Sequence, residues 1–160
     1  MDQTDRDILV ELTTNSNQSV KEIAGKVNLS VSPVHERIKK LENNGVIQGY
    51  SAVVNPEVIG FGVLVYIQVK FIRHHDNLFD AFTENIQQLH EVQEAVFTAG
   101  EYDVMLKVYL KDMDDYHNFI LHRLSKLDNI SNVKTSFAMR SINNNKVTLN
   151  PETIKFFNQE

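Results

Sequence analysis

The spacing of apolar residues changes near residue 50, and no single layer of secondary structure accommodates both patterns. Upstream, Ile8, Leu9 and Leu12, then Ile23 and Val27, then Val34, Ile38 and Leu41 recur at three- and four-residue spacing, which gathers each group on one helix face. Downstream, "LVYIQVKFI" (64–72), "VQEAVFTA" (92–99), "DVMLKVYL" (103–110) and "SNVKTSFAMRSI" (131–142) are rich in β-branched and aromatic residues and partly alternate, as strands do. The pattern predicts an α+β chain of two domains, helical over residues 1–50 and sheet-containing over 61–160. Residues 51–60 join them as a hinge strand or linker, within "GVIQGYSAVVNPEVIG" (45–60), where Gly and Pro punctuate a strand-like piece and Gly49 to Asn55 form the hinge.

Charge is distributed as unevenly as hydropathy. The 160 residues hold 16 Lys/Arg against 21 Asp/Glu, a formal net charge of −5. Residues 1–50 contribute 6 and 7 of these (net −1) and residues 51–160 contribute 10 and 14 (net −4). Yet "KEIAGKVNLSVSPVHERIKK" (21–40) holds five cations, Lys21, Lys26, Arg37, Lys39 and Lys40, against Glu22 and Glu36. The ordinary reading of such a run is a solvated helix face; its setting points further. No window has the length of apolar residues that a membrane span needs, and the start "MDQTDRDI" is acidic where a secretory signal is basic and then apolar. A cytoplasmic protein is expected, with no membrane partner. Cysteine is absent, which removes disulfides, thiolate nucleophiles and Cys-ligated zinc.

Three helices are predicted before residue 50. The first runs from about Asp5 to Thr14, with Thr4 as its cap. The second begins near Val20 and buries Ile23 and Val27, and the small Ala24 and Gly25 let another helix approach. Asn28 suits a left-handed turn position and Leu29 a corner plug. The third helix is capped by Ser30 or Ser32, tolerates Pro33 in its first turn, and ends at "NNG", where Gly45 takes the left-handed position. Helix, tight turn and second capped helix form a helix-turn-helix. With Val34, Ile38 and Leu41 facing inward, Ser32, Glu36, Lys39 and Asn43 face the opposite way, flanked by His35 and Lys40. Such a face suits the major groove of double-stranded DNA. The candidate DNA-binding residues are therefore Ser30, Ser32, Pro33, His35, Glu36, Arg37, Lys39 and Lys40. Arg37, Lys39 and Lys40 are expected at or near phosphates, with Ser32, His35 and Glu36 nearest the bases.

On "TDRDILVEL", "EIAGKVNLSVSPVHERIKKLENNGVIQGYSAVVNPEVIG" and "AGEYDVMLKV", the chain resembles the Lrp/AsnC, or feast/famine, family of prokaryotic transcription regulators. The likeness covers nearly the whole chain. It implies an N-terminal winged helix-turn-helix, a hinging strand, and a C-terminal ferredoxin-like βαββαβ (RAM-type) domain that binds an amino acid or related small molecule. It also implies a homodimer that assembles to an octamer. Val31 stands where many members have proline, and Asn28 where glycine is common.

The second half reads as βαββαβ on its own pattern. Strands are expected at 61–73, 91–99, 103–110 and 130–142. Between them lie one helix burying Phe79, Phe82, Ile86 and Leu89 and another burying Met113, Tyr116, Ile120, Leu124 and Leu127. With both helices on one sheet face, the other, carrying Tyr66, Gln68, Lys70 and Phe97, is expected to meet its own copy across a two-fold axis.

On composition alone "TAGEYD" (98–103) is more readily a hairpin with a polar tip than a ligand turn. The resemblance implies the ligand turn: Thr98, Gly100, Tyr102 and Asp103 then hold the effector, with Asp103 receiving an α-ammonium and Thr135 or Ser136 added by a neighbouring subunit.

The histidines lack ligand spacing, since His74 and His75 are adjacent and His117 and His122 are five apart, so no metal is expected. The carboxylates of "DMDD" (112–115) suit a helix start. No nucleophile elbow, phosphate loop or dinucleotide fingerprint appears, so no catalytic residue is assigned and no cofactor is expected beyond an amino-acid effector. The alternative is an architectural DNA-binding dimer without an effector.

Overall fold

The computed structural model describes residues 1–73 and 78–140 of the chain. They fall into two compact units, one from Met1 to Val53 and one from Val54 onward. His74, His75 and the end of the last predicted strand beyond residue 140 lie outside the described residues.

The first unit holds α1 (Gln3–Thr14), α2 (Val20–Lys26) and α3 (Val31–Asn43). The first helix starts earlier than its apolar spacing indicated because Asp2, not Thr4, caps it. Asp2 Oδ1 accepts from Asp5 N–H at 2.9 Å and Asp5 Oδ2 accepts from Asp2 N–H at 3.0 Å, a reciprocal cap that satisfies two otherwise unpaired donors. Ser19 and Glu22 repeat the device at the start of α2. Asn28 takes φ 55°, the left-handed turn expected of it. Leu29 is exposed and does not plug the corner. The core closes instead around Ile8, Leu9, Leu12, Ile23, Ala24, Val34, Ile38 and Leu41, with Val20, Val27 and Ile47 at its edge. Ser30 occupies the cap position of α3 without a side-chain hydrogen bond. Gly45, at φ 70°, ends the helix as predicted.

Residues 51–60 form no strand. The expected hinge strand and wing therefore have no β structure among the described residues: a strand needs a hydrogen-bonded neighbour, and none is paired there. Val53, Val54, Val58 and Ile59 are exposed.

The second unit contains β1 (Val63–Phe71), α4 (Leu78–Gln87), β2 (Val92–Phe97), β3 (Val104–Leu110), α5 (Met113–His122), a short 3₁₀ turn (Leu124–Lys126) and β4 (Ile130–Phe137). The antiparallel strands lie in the order β2-β3-β1-β4, which is the ferredoxin-like arrangement expected. Val65, Ile67, Val69 and Phe71 of β1 and Val104, Leu106, Val108 and Leu110 of β3 pack against Phe82, Ile86 and Leu89 and against Phe119 and Leu124. Both helices thus cover one sheet face. Their first turns are less buried than the helix pattern indicated: Phe79 is 45% and Met113 56% exposed. A helical side chain leans toward the N-terminus, so a first-turn residue reaches past the end of its own helix.

Phe97, expected on the open face of the sheet, lies on its helix side, and so does Thr135. An irregularity between Val92 and Glu94 shifts the register of β2 by one residue, and a one-residue shift reverses every side chain that follows. Phe97 consequently pairs with Val104 on the helix side and meets Phe79 edge-on at 4.7 Å. Thr135 pairs with the buried Ile67, also on the helix side, where its hydroxyl takes a 3.1 Å hydrogen bond from Tyr116. The face away from the helices carries Tyr66, Gln68 and Lys70 of β1, as expected, with Met105, Lys107 and Tyr109 of β3.

Candidate functional site

The helical unit presents the predicted face of α3 to solvent. Val34, Ile38 and Leu41 are 0%, 8% and 4% exposed. Opposite them Ser32, Glu36, Lys39 and Asn43 are exposed, flanked by His35 and Lys40, also exposed. Ser30 and Pro33 stand at the helix start, Pro33 partly buried.

The cations of the basic stretch divide into two kinds. Lys26 Nζ lies 2.6 Å from Glu11 Oε2, holding α2 to α1 and drawing the Glu11 carboxyl below its usual range. Arg37 Nη1 lies 2.6 Å from both Asp2 Oδ2 and Asp5 Oδ1. Those carboxylates, Asp5 first, raise the Arg37 pKa further. Asp2 in turn is lowered, first by the Asp5 backbone N–H and then by Arg37. Of the three cations expected at or near phosphates, Arg37 is thus the one whose guanidinium is engaged by an opposing pair of carboxylates on α1. Lys21, Lys39 and Lys40 form no ion pair among the described residues, and all three are exposed. They are the charges available to a polyanion. At the other end of α3 the Tyr50 hydroxyl donates to Glu42 Oε1 at 2.9 Å.

In the sheet unit the turn after β2 is tied to its neighbours. Thr98 Oγ1 donates to the Tyr102 carbonyl at 2.6 Å, and Thr98 N–H donates to the Asp103 carbonyl at 2.8 Å. Asp103 Oδ2 accepts from the Phe71 N–H at 2.7 Å and Asp103 N–H donates to the Val69 carbonyl at 2.9 Å. Asp103 therefore joins the start of β3 to the end of β1, where the β1–β4 register breaks between Lys70 and Phe71. The side chain expected to receive an α-ammonium is thus engaged through Oδ2 by the sheet backbone. Gly100 has no left-handed φ, and a Cβ added there meets nothing within 4 Å, so the turn does not require glycine. Tyr102 is partly buried. Thr135 and Ser136 point to opposite sheet faces and cannot serve one pocket together. Of the two, Ser136 shares the open face with Tyr66.

A cavity of about 340 Å³ opens between α4 and β2, lined by Phe82, Ile86, Val96 and Phe97 with Thr83 and Glu94 among its polar groups. None of the sequence-named effector residues lines it. The stretch "VQEAVF" held its signal, two adjacent polar residues interrupting the alternation, which marks the register irregularity beside this cavity.

Family comparison agrees with both halves. The model for a winged helix-turn-helix DNA-binding domain matches residues 1–48, and that for the Lrp/AsnC ligand binding domain matches residues 64–148. The chain belongs to the Lrp/AsnC family. Lrp/AsnC proteins are transcription regulators rather than enzymes. The chain is 32% identical to the leucine-responsive regulatory protein of Klebsiella pneumoniae over 142 residues, 89% of this chain and 87% of that one. Among solved structures, an AsnC family transcriptional regulator from Agrobacterium tumefaciens is similar with 31% identity and a TM-score of 0.88, covering 95% of this chain and 98% of its own. A transcriptional regulator of Neisseria meningitidis, solved as its L-Met complex, shows 27% identity and a TM-score of 0.89 over 96% and 99% of the two chains. In this Lrp/AsnC chain no helix among the described residues is long and apolar enough to cross a membrane.

Proposed function

We propose that this Lrp/AsnC protein is a cytoplasmic, sequence-specific DNA-binding regulator whose assembly responds to an amino acid. The observation that carries the DNA part is the open face of α3, with Ser32, Glu36 and Lys39 exposed opposite a buried Val34, Ile38 and Leu41. Lys39 and Lys40 neutralise phosphates, Ser32, His35 and Glu36 face base edges in the major groove, and Ser30 and Pro33 frame the helix start. Paired heads in a homodimer read successive grooves.

The effector part is supported by the ligand-binding-domain match and by the L-Met bound to the Neisseria meningitidis neighbour. The turn containing Thr98, Gly100 and Tyr102 holds the amino acid at a junction between subunits, Asp103 shapes that turn from behind, and Ser136 comes from a neighbour. The sheet face bearing Tyr66, Gln68 and Lys70 joins two copies, and four dimers build an octamer. An effector that binds alternative assemblies unequally shifts their balance. No resident cofactor is needed.

The test is duplex binding by fluorescence anisotropy with Lys39→Ala/Lys40→Ala, together with calorimetry of L-Met and the other amino acids on the wild type and on Tyr102→Ala. Loss of DNA affinity in the lysine variant and loss of effector affinity in the tyrosine variant are expected. Undiminished DNA binding rejects the α3 face. Flat calorimetry with every amino acid rejects the effector and leaves the architectural dimer. A monomer-sized species alone in sedimentation rejects the assembly.

A further inference from the structure

Each of the two carboxylates at the start of α1 divides its oxygens between the backbone and α3. Asp2 Oδ1 and Asp5 Oδ2 close the helix cap. The oxygens left over, Asp2 Oδ2 and Asp5 Oδ1, converge on Arg37 Nη1 at 2.6 Å each. The rotamers that cap α1 are thus the ones that aim both charges at the recognition helix. Arg37 lies on the flank of α3, about 60° of helix rotation from the buried Val34 and about 60° from the exposed Lys40.

From this geometry we infer that Arg37 is a positioning residue, withheld from DNA phosphates by Asp2 and Asp5, which pins α3 to α1 and leaves phosphate contact from that helix to Lys39 and Lys40. The inference rests on the reading of α3 as the DNA-facing helix. A phosphate competing for Arg37 meets two carboxylates already in place, and it repels both of them. Drawing Arg37 away strands Asp5, whose side chain is only 10% exposed, without its cation. The three charged groups of the clasp sum to −1 (one guanidinium, two carboxylates), so the clasp itself offers a polyanion no net positive charge. Sequence-independent affinity is set by the number of phosphates neutralised. Withholding one cation lowers that affinity and leaves base contacts a larger share of the total binding energy.

The experiment measures binding of the full chain to a duplex of arbitrary sequence across a salt series. There the slope of log K against log salt changes by about 0.9 for each phosphate neutralised. Arg37→Gln is expected to leave the slope unchanged. Asp2→Asn/Asp5→Asn is expected to steepen it by about 0.9 as the guanidinium is released. Adding Arg37→Gln to that pair is expected to restore the wild-type slope, a dependence that a purely structural clasp does not produce. A slope shallower by about 0.9 in Arg37→Gln makes Arg37 a phosphate ligand and overturns the inference. So does an unchanged slope in the double variant, or a steepening that survives in the triple variant, because lost acidic charge then accounts for it. Should the double variant not fold, Arg37→Gln alone decides. Lys39→Ala/Lys40→Ala separates the two levels. An unchanged slope there rejects the DNA-facing reading itself, whereas a shallower slope beside an unchanged double variant rejects only the clasp.

Discussion

The carboxylate of Asp103 accepts a 2.7 Å hydrogen bond from the backbone N–H of Phe71, two residues distant by 32 positions in sequence. This bond sits where β4 slips its register against β1, between Lys70 and Phe71. A group that the family resemblance implies as a ligand's anchor is thereby tied into the sheet. Asp103→Ala should lower stability by about 1.5–3 kcal/mol, the usual cost of losing a hydrogen bond to a charged group. Asp103→Asn keeps an acceptor and should recover most of it. Urea denaturation without any effector is the measurement; an Asp103→Ala variant as stable as wild type would show that the bond contributes nothing.

Asn28 holds φ 55° between α2 and α3. Asparagine tolerates that conformation and glycine accepts it freely, whereas a residue with an ordinary Cβ loses roughly 1–2 kcal/mol. Thermal unfolding of Asn28→Gly should match or exceed the wild type, and Asn28→Ala should melt earlier. The reverse order would mean that the side-chain amide, rather than the backbone angle, is what the turn needs.

Tyr50 donates to Glu42 at the end of the recognition helix. Partial desolvation of its half-exposed ring first, and then Glu42, pushes its phenol from the usual 10.0 to about 12. Because the folded value lies above the unfolded one, the contribution of this bond is complete below pH 10.0 and lost as pH rises through about 12. A tyrosinate absorbance titration of wild type minus Tyr50→Phe should show the missing step near 12. A step at the ordinary value would remove the latch.

At the start of α2, Glu22 Oε2 accepts from Ser19 N–H at 2.6 Å and from the Ser19 hydroxyl at 2.8 Å. The backbone donor first, and then the hydroxyl, lowers the Glu22 carboxyl from its usual 4.5. Its folded value being depressed, the stability it gives is present above pH 4.5 and lost as pH falls through the folded value. Ser19→Ala should cost about 1 kcal/mol at neutral pH. Glu22→Gln should be less stable than wild type at neutral pH by an amount that shrinks in acid. Melting curves taken across the acid range decide it, and a constant gap between the two proteins would contradict the cap's charge dependence.

Local chemistry wrote the elements. The 3.6-residue rows of Val34, Ile38 and Leu41, the left-handed Asn28 and Gly45, and the alternating Val65, Ile67 and Val69 were all readable from neighbours a few positions away. With them came the two-part division, the helix-turn-helix and the βαββαβ order, because periodicity and turn chemistry act over short spans. What could not be read was the partner of each polar group. Asp2 and Asp5 meet Arg37 across 35 and 32 positions, and Asp103 meets Phe71 across 32. A carboxylate's residue type is the same whether it holds a ligand, a guanidinium or a strand. The register irregularity in β2 likewise put Phe97 on the helix side, and pairing with Ile67 put Thr135 there. Folding over long loops chooses among these partners, since hydrogen bonds and ion pairs act at about 3 Å, a separation that sequence distance does not encode.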